Sequence, residues 1–513
     1  MRLVHQPDAA PLPPATRRLA WVAGGALITS VGVMVLLGVC GPSLVVPKFS
    51  SAFPWPPYFA AVRPSGPVTM GLALAALCLG GLGLVAGLLA ARGGWRPRPR
   101  RLIIGCLLAV IALILVPPLG STDMLDYAIY GRIAVLGHSP YVMTPAQLTT
   151  TGDPVGRYSP YAWRHKPSVY GPLATVSEQA ASELAGPSTA KTVFWLKIWN
   201  GLAFLAVALA LDRLVRSDAA ARTRAHLLWT VNPLMLWAVM AGGHIDGLPA
   251  AAGFLGLLCL RRPGAIRGLT AGLLIGAAAA VKAPFVFFLL GVAWSAHRSP
   301  RTLAAAALGA VAVLVPSYLL AGPAAIAAVA GRAAAAPDVY QPWQLLTRAL
   351  SIHPVGRFTD VLALIAVAAM AAVLLWRLPS GWPSPAAMPF ARPVLAVSLA
   401  WLIWTPQQRP WFDAMVFPLL AVLPATRLDW IVALRALVGA VAELPGVAHR
   451  PYPPWLGSFL GDGAQAILPA ILVVLAGALL WLCVTRRWRP PGPPWPAGGG
   501  QPLPDLAVSG TFR

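Results

Sequence analysis

Blocks of about 20 apolar residues, separated by short polar stretches, recur along most of the 513-residue chain. An α-helix of that length crosses roughly 30 Å of hydrocarbon. The pattern predicts spans at about 19–39, 68–91, 102–119, 193–211, 227–241, 248–260, 268–281, 284–296, 303–321, 360–376, 393–404, 414–425, 430–448 and 465–484. That makes about fourteen spans, within a range of about twelve to sixteen. Several hold only about 12–15 residues and are expected to tilt or re-enter under the cover of neighbouring helices. The expected fold class is an all-α polytopic membrane protein. One long interruption, residues 120–192, breaks the rhythm. It opens with "STDMLDYAIYGRIAVLGHSPY" (121–141), where Met124, Tyr127, Ile129, Tyr130, Ile133 and Val135 recur at helical spacing. This predicts an amphipathic helix lying in the membrane interface.

Composition agrees with the pattern. Apolar residues make up 58% of the chain and charged ones 11%, with a mean hydropathy of +0.69. A soluble domain carries about 25% charged residues to cover its surface. The net charge of +23 invites a nucleic-acid reading, but the basic residues fall in short clusters between spans, as the positive-inside rule expects. No nucleic-acid partner is expected. With the N-terminus inside, the cytoplasmic segments hold 24 of the 39 Lys and Arg residues, including Arg92, Arg96, Arg98, Arg100 and Arg101 in one loop. Residues 1–18 then form a cytoplasmic tail, as does the Pro/Gly-rich segment 486–513, which is expected to be disordered. The first apolar run is too long for a signal peptide and no A-x-A-like site follows it, so it reads as a retained span. The five cysteines show no metal-ligand spacing.

The acids are few, and most fall on or near the outer side of this topology. Asp123 and Asp126 follow the third span, three residues apart and on one side of the predicted helix. The plain alternative for Asp123 is that it caps that helix. Tyr170-Gly171-Pro172 marks a turn ahead of another helix. In "NPLMLWAVMAGGHIDGLPAA", His244 and Asp246 sit between two spans, where ionisable groups are costly enough to suggest function. A wet hairpin tip is the alternative. Lys282 is the one charge in "GLLIGAAAAVKAPFVFFLLG" and stands where Ala283-Pro284 breaks the helix. It needs an anion or a route to water, and snorkelling is the simpler account. Gln407, Gln408, Arg409, Trp411 and Asp413 occupy a further outer hairpin.

The order "TDMLDY", "HSPY", "PSVYGPL", "NPL…GGHID", "VKAP" and "QQRPWFDAMVFPLL" resembles the GT-C superfamily of membrane glycosyltransferases. Within it, the succession is similar to the actinobacterial polyprenol-phosphate-mannose-dependent α-(1→6)-mannosyltransferases. The resemblance covers about residues 100–425. It implies a GT-C catalytic region at 19–425 whose outer catalytic loop is about 120–192, followed by C-terminal helices at 426–485. It also implies transfer of a hexose, most simply mannose, from a polyprenyl-phosphate donor to a glycan or glycolipid acceptor on the outer face. By position, Asp123 matches the family's catalytic acid and Asp126 ranks second. Lys282 and Arg409 would hold the donor phosphate, Lys282 the better of the two. Tyr127, Tyr170, His244, Asp246 and Trp411 would contact sugar or acceptor. No metal ligands are identified, and a divalent cation is left open because acids and phosphates share the site. One carboxylate with no second nucleophile favours a single in-line displacement, which turns a β-linked donor into an α-linked product. Leu125, Phe412 and the Asp of "GGHIDG" depart from the usual family wording and bear on which sugar and acceptor are used. The rival from another class is a multispanning transporter or flippase, which also uses broken helices with embedded charges.

Overall fold

In a computed structural model, residues 12–49, 55–58, 62–333, 342–349, 356–379, 388, 390–406, 409–444, 446–447, 454–458 and 464–488 are described. All regular structure among them is helical. The helices are α1 (Pro14–Val39), α2 (Gly66–Arg92), α3 (Pro99–Ile114), α4 (Asp123–Val135), α5 (Pro145–Thr150), α6 (Pro172–Ala185), α7 (Thr189–Leu214) and α8 (Ala219–Ala225). There follow α9 (Pro233–Met235), α10 (Gly247–Cys259), α11 (Ala265–Val281), α12 (Phe288–Ala296), α13 (Pro300–Ala321), α14 (Pro323–Ala333) and α15 (Pro342–Ala349). The last are α16 (Gly356–Arg377), α17 (Ala391–Trp404), α18 (Phe417–Val422), α19 (Leu428–Ala442), α20 (Pro454–Ser458) and α21 (Ala464–Thr485). Many begin on proline, whose fixed φ suits the first turn and whose missing N–H costs nothing there.

Six helices are long and apolar enough to cross a membrane by themselves, and five shorter apolar ones accompany them among the described residues. The segment expected as one span at 227–241 is instead broken. Two π-helical turns, His226–Thr230 and Leu236–Ala241, flank a stop at Asn232, whose side chain caps α9 through the Leu234 N–H. The third span ends early, at Ile114, because Pro117 and Pro118 follow. Most of both tails, residues 1–11 and 489–513, and the hairpin residues Gln407 and Gln408 lie outside the described residues.

Small residues set the packing. On α11, Gly268, Gly272 and Gly276 repeat every four residues against Thr302, Ala306 and Ala310 of α13, so close that side chains would overlap the α13 backbone. Such small-residue stripes drive helix association where lipid removes the hydrophobic force. α1 and α2 pack antiparallel, joined by Ser30 Oγ donating to the Ala76 carbonyl at 2.7 Å.

α4 departs from its expected exposure. It forms where the pattern put it, but Met124 to Gly131 and Ile133 are all buried, packed against α6 and α7. It is packed against protein over most of its length and lacks the wet face expected of it. Arg132 binds Asp153 at 2.8 Å and fixes its far end.

Candidate active site

Asp123 enters on a tightly held lead segment. Leu119 N–H donates to the Ala241 carbonyl (2.8 Å) and Gly120 N–H to the Val45 carbonyl (2.6 Å). Gly120 has φ +70°, which a side chain would strain. Buried Lys197 of α7 donates to the Val116 carbonyl at 2.8 Å and completes the hold. Asp123 is the first residue of α4, Thr122 stands at the cap position, and no side chain caps this helix. The carboxylate is therefore not occupied by capping. Its N–H is met by Ser121 Oγ at 3.1 Å.

What faces the carboxylate is His244, with Nδ1 3.4 Å from Oδ2. The Gly242-Gly243 pair turns the chain here, and Gly243 takes φ +72° against Met124. His244 stacks on Trp411 with ring centroids 3.3 Å apart and planes 13° from parallel. Neither His244 nor Asp246 is a wet hairpin tip: they are 2% and 0% exposed. Burial opposes ionisation of Asp123. Even so, His244 beside it and the charges of Arg409 and Lys282 hold its carboxyl below the usual carboxylate range. Burial likewise lowers the pKa of His244, despite Asp123, so Asp123 is ionised and the imidazole neutral at pH 7.

Lys282 is where α11 ends, in extended conformation. Its ammonium is bound by both oxygens of Asp246, at 2.9 and 2.7 Å, and lies 4.2 Å from the Phe412 ring and 5.6 Å from that of Tyr170. Tyr127 donates its hydroxyl to that of Tyr170 at 3.3 Å, with the rings edge to face at 5.0 Å. Arg409 meets Glu443, at the end of α19, at 2.5 Å. Eight sequence candidates thus share one constellation: Asp123, Tyr127, Tyr170, His244, Asp246, Lys282, Arg409 and Trp411. Asp126 is different. It is buried behind Asp123, and burial together with Asp123 and Glu178 raises its pKa well above the carboxylate range. An acid that holds its proton this much more tightly than Asp123 is the poorer candidate for the base.

Sequence reading placed Asp413 at an outer hairpin tip; it missed Glu443, the full burial of Glu178 and of Asp413, and the pairing of Asp413 with Arg435. Arg435 carried the signal that singled out Lys282, a lone cation inside an apolar run. Glu178 is fully buried, and neither carboxylate oxygen has a hydrogen-bond partner among the described residues. No group of three or more His, Cys, Asp and Glu residues is arranged to hold a metal ion among them.

The chain is similar to curated relatives. A probable alpha-(1->6)-mannopyranosyltransferase of Mycolicibacterium smegmatis is 33% identical over 32% of this chain and 29% of its own length. An alpha-(1->6)-mannopyranosyltransferase of Mycobacterium tuberculosis is 28% identical over 31% of this chain and 26% of its own. Alpha-(1->6)-mannopyranosyltransferase B of Corynebacterium glutamicum is 25% identical over 27% and 23%. The matches span less than a third of each relative's length. The cryo-EM structure of arabinosyltransferase EmbB from Mycobacterium smegmatis covers 82% of this chain and 42% of its own at 15% identity, with a TM-score of 0.34. That likeness is too slight to carry an argument. Residues 20–298, more than half the chain and including Asp123, His244, Asp246 and Lys282, match the family described as "Alpha-(1->6)-mannopyranosyltransferase, N-terminal domain", and the chain belongs to that family.

Proposed function

We propose that this protein is a GT-C-type α-mannosyltransferase that moves a mannosyl residue from a polyprenyl-phosphate donor to a glycan or glycolipid acceptor on the outer face of the membrane. The observation that carries the reading is an ionised carboxylate, bound by no cap, placed beside a neutral histidine and two cations. In the reaction the acceptor oxygen attacks C1 from the side opposite the phosphate. The C1–O bond to phosphate breaks, its electron pair leaves with the lipid phosphate, and Asp123 takes the acceptor proton. General-base catalysis of this kind is worth about 10²–10⁴-fold. His244, held flat by Trp411, orients the carboxylate. Tyr127, Tyr170 and Trp411 supply the aromatic and hydroxyl surface for sugar.

The two cations do not serve alike. Lys282 is neutralised by both oxygens of Asp246 in a buried pair and acts chiefly to fix the broken end of α11. Arg409, 23% exposed with Glu443 at 18%, is the better phosphate ligand. Lys282 and Arg409 face Asp123, Asp246 and Glu443, a net −1 for these five groups. An arriving phosphate must therefore displace Glu443 from Arg409 or bring a cation with it.

The test uses purified protein in lipid, labelled polyprenyl-phosphate mannose and a short α-mannoside, with wild type beside Asp123→Asn and each run with and without a chelator. Transfer by wild type should fall about 10²–10⁴-fold in the variant at unchanged melting temperature. Transfer surviving in a folded Asp123→Asn protein removes Asp123 as base. No transfer by wild type from this donor refutes the assignment of donor class.

A further inference from the structure

We propose that a cavity at the end of the bundle remote from Asp123 binds the phosphate headgroup of an anionic membrane lipid. The cavity, about 550 Å³, lies between α2, α19 and α21. Its walls are apolar, with Val85, Ile431 and Leu482 among them, and two guanidinium groups, Arg92 and Arg427, project at it beside Trp430 and Trp481. Arg92 lies 4.5 Å over the Trp430 ring, and Arg427 lies 5.8 Å from that of Trp481.

Three observations point to an anion. First, buried nitrogens of both arginines, Nη2 of Arg92 and Nε of Arg427, have no hydrogen-bond partner among the described residues. Second, among the described residues the carboxylate acting on Arg92 is that of Asp429, and it is already engaged. Asp429 takes two hydrogen bonds from Arg224, at 2.8 and 2.6 Å, and lies within electrostatic reach of Arg92 together with Arg427. Among the described residues this cluster sets three guanidinium groups against one carboxylate, an excess of two positive charges. Third, a further guanidinium, that of Arg487, lies 5.9 Å from the ring of the lining residue Trp481.

The walls point to a lipid as the source of the anion. Trp481 is 45% exposed and Val85 38%, both on helices long enough to span a membrane, so the cavity opens sideways where acyl chains run. Tryptophan favours the headgroup level. In the orientation the basic loops predict, this end lies in the cytoplasmic leaflet, where anionic lipids gather and basic pockets between helices hold their headgroups.

The experiment titrates the detergent-purified full chain with phosphatidylglycerol or phosphatidylcholine, counts bound lipid by native mass spectrometry and records melting temperature. Wild type should retain one phosphatidylglycerol more tightly than phosphatidylcholine. The double variant Arg92→Gln/Arg427→Gln should bind it roughly 30-fold more weakly, about fivefold per basic residue. Ala478→Phe, which fills the cavity and keeps both charges, should also lose the lipid, and it carries the test if the double variant does not fold. Equal binding of the two lipids, or unchanged phosphatidylglycerol binding in either folded variant, overturns the proposal. Stabilisation of wild type by glycerol 1-phosphate equal to that by phosphatidylglycerol overturns the lipid and leaves a soluble anion in its place.

Discussion

Asp123 and Glu178 show how one functional group, the carboxyl, takes opposite states on two helices packed together. The first faces His244 and two cations and stays ionised. The second, on α6, is sealed under α4, and burial alone raises its pKa well above the usual range. Below the unfolded pKa the acid is neutral in both states and costs nothing by titration. As pH rises past that value the unfolded chain ionises and the native one does not, so stability is lost until the native pKa is reached. The loss amounts to about 1.4 kcal/mol per pH unit over that window. Glu178→Gln, nearly isosteric and never charged, should remove it. The melting temperature of the variant relative to wild type should therefore climb between pH 5 and pH 8; a constant difference would show that Glu178 is already ionised in the native protein. Glu443 offers a second test. Replacing it with Gln takes one negative charge from the five-group cluster and loosens Arg409. The KM for the lipid-phosphate donor should fall several-fold with kcat nearly kept, as for an interaction that opposes binding alone. A raised KM in steady-state assays would mean that Glu443 positions Arg409 for the phosphate.

At the scale of elements, the site depends on helices that approach one another closely. Gly171 N–H donates to the Val281 carbonyl at 3.0 Å, and a Cβ on Gly171 would overlap the Ala280 carbonyl oxygen. The turn before α6 is thus set directly on the end of α11, which places Tyr170 over Lys282. Gly131 does the same for α4, lying on the backbone of Glu178. Gly171→Ala should cost about 1–3 kcal/mol by overpacking. It should also lower transfer up to about 100-fold by displacing Tyr170 and Lys282, because small misplacements weigh heavily on catalysis. Gly105→Ala, where a Cβ meets nothing within 4 Å, is the control and should leave both unchanged. Thermal melts and transfer assays on the pair decide the matter, and equal behaviour would remove the packing argument. These contacts explain what sequence could and could not convey. Apolar runs announce membrane helices, and an acid, a histidine or a lysine at their ends announces itself by its cost. Glu178 does not, because "ATVSEQAASELAG" reads as an ordinary half-wet helix until Gly131 lets α4 cover it. The broken stretch 226–241 was equally hidden, since π turns leave the apolar content of a span unaltered.

For the whole molecule, sidedness is the consequence that matters most. Thr16 Oγ1 donates to the Gly93 carbonyl at 3.4 Å, so the start of α1 and the Arg-rich loop after α2 share one end. Gly120 bonds Val45, just past the other end of α1, so Asp123 lies at the opposite end. The fold therefore separates the basic loop from the candidate active site by the length of a spanning helix. If basic loops stay inside, the carboxylate faces outward, where only a donor already carried across the membrane can reach it. The reverse orientation would demand a cytoplasmic donor and acceptor. Val142, 66% exposed in the 120–192 loop, and Arg100, exposed beyond α2, mark the two ends. With the five native cysteines replaced, Val142→Cys should react with a membrane-impermeant maleimide in intact cells. Arg100→Cys should react only after permeabilisation. The opposite pattern would invert the molecule, carry the Arg92–Arg427 cavity to the outer leaflet, and make a nucleotide-activated sugar as accessible to Asp123 as a lipid-linked one.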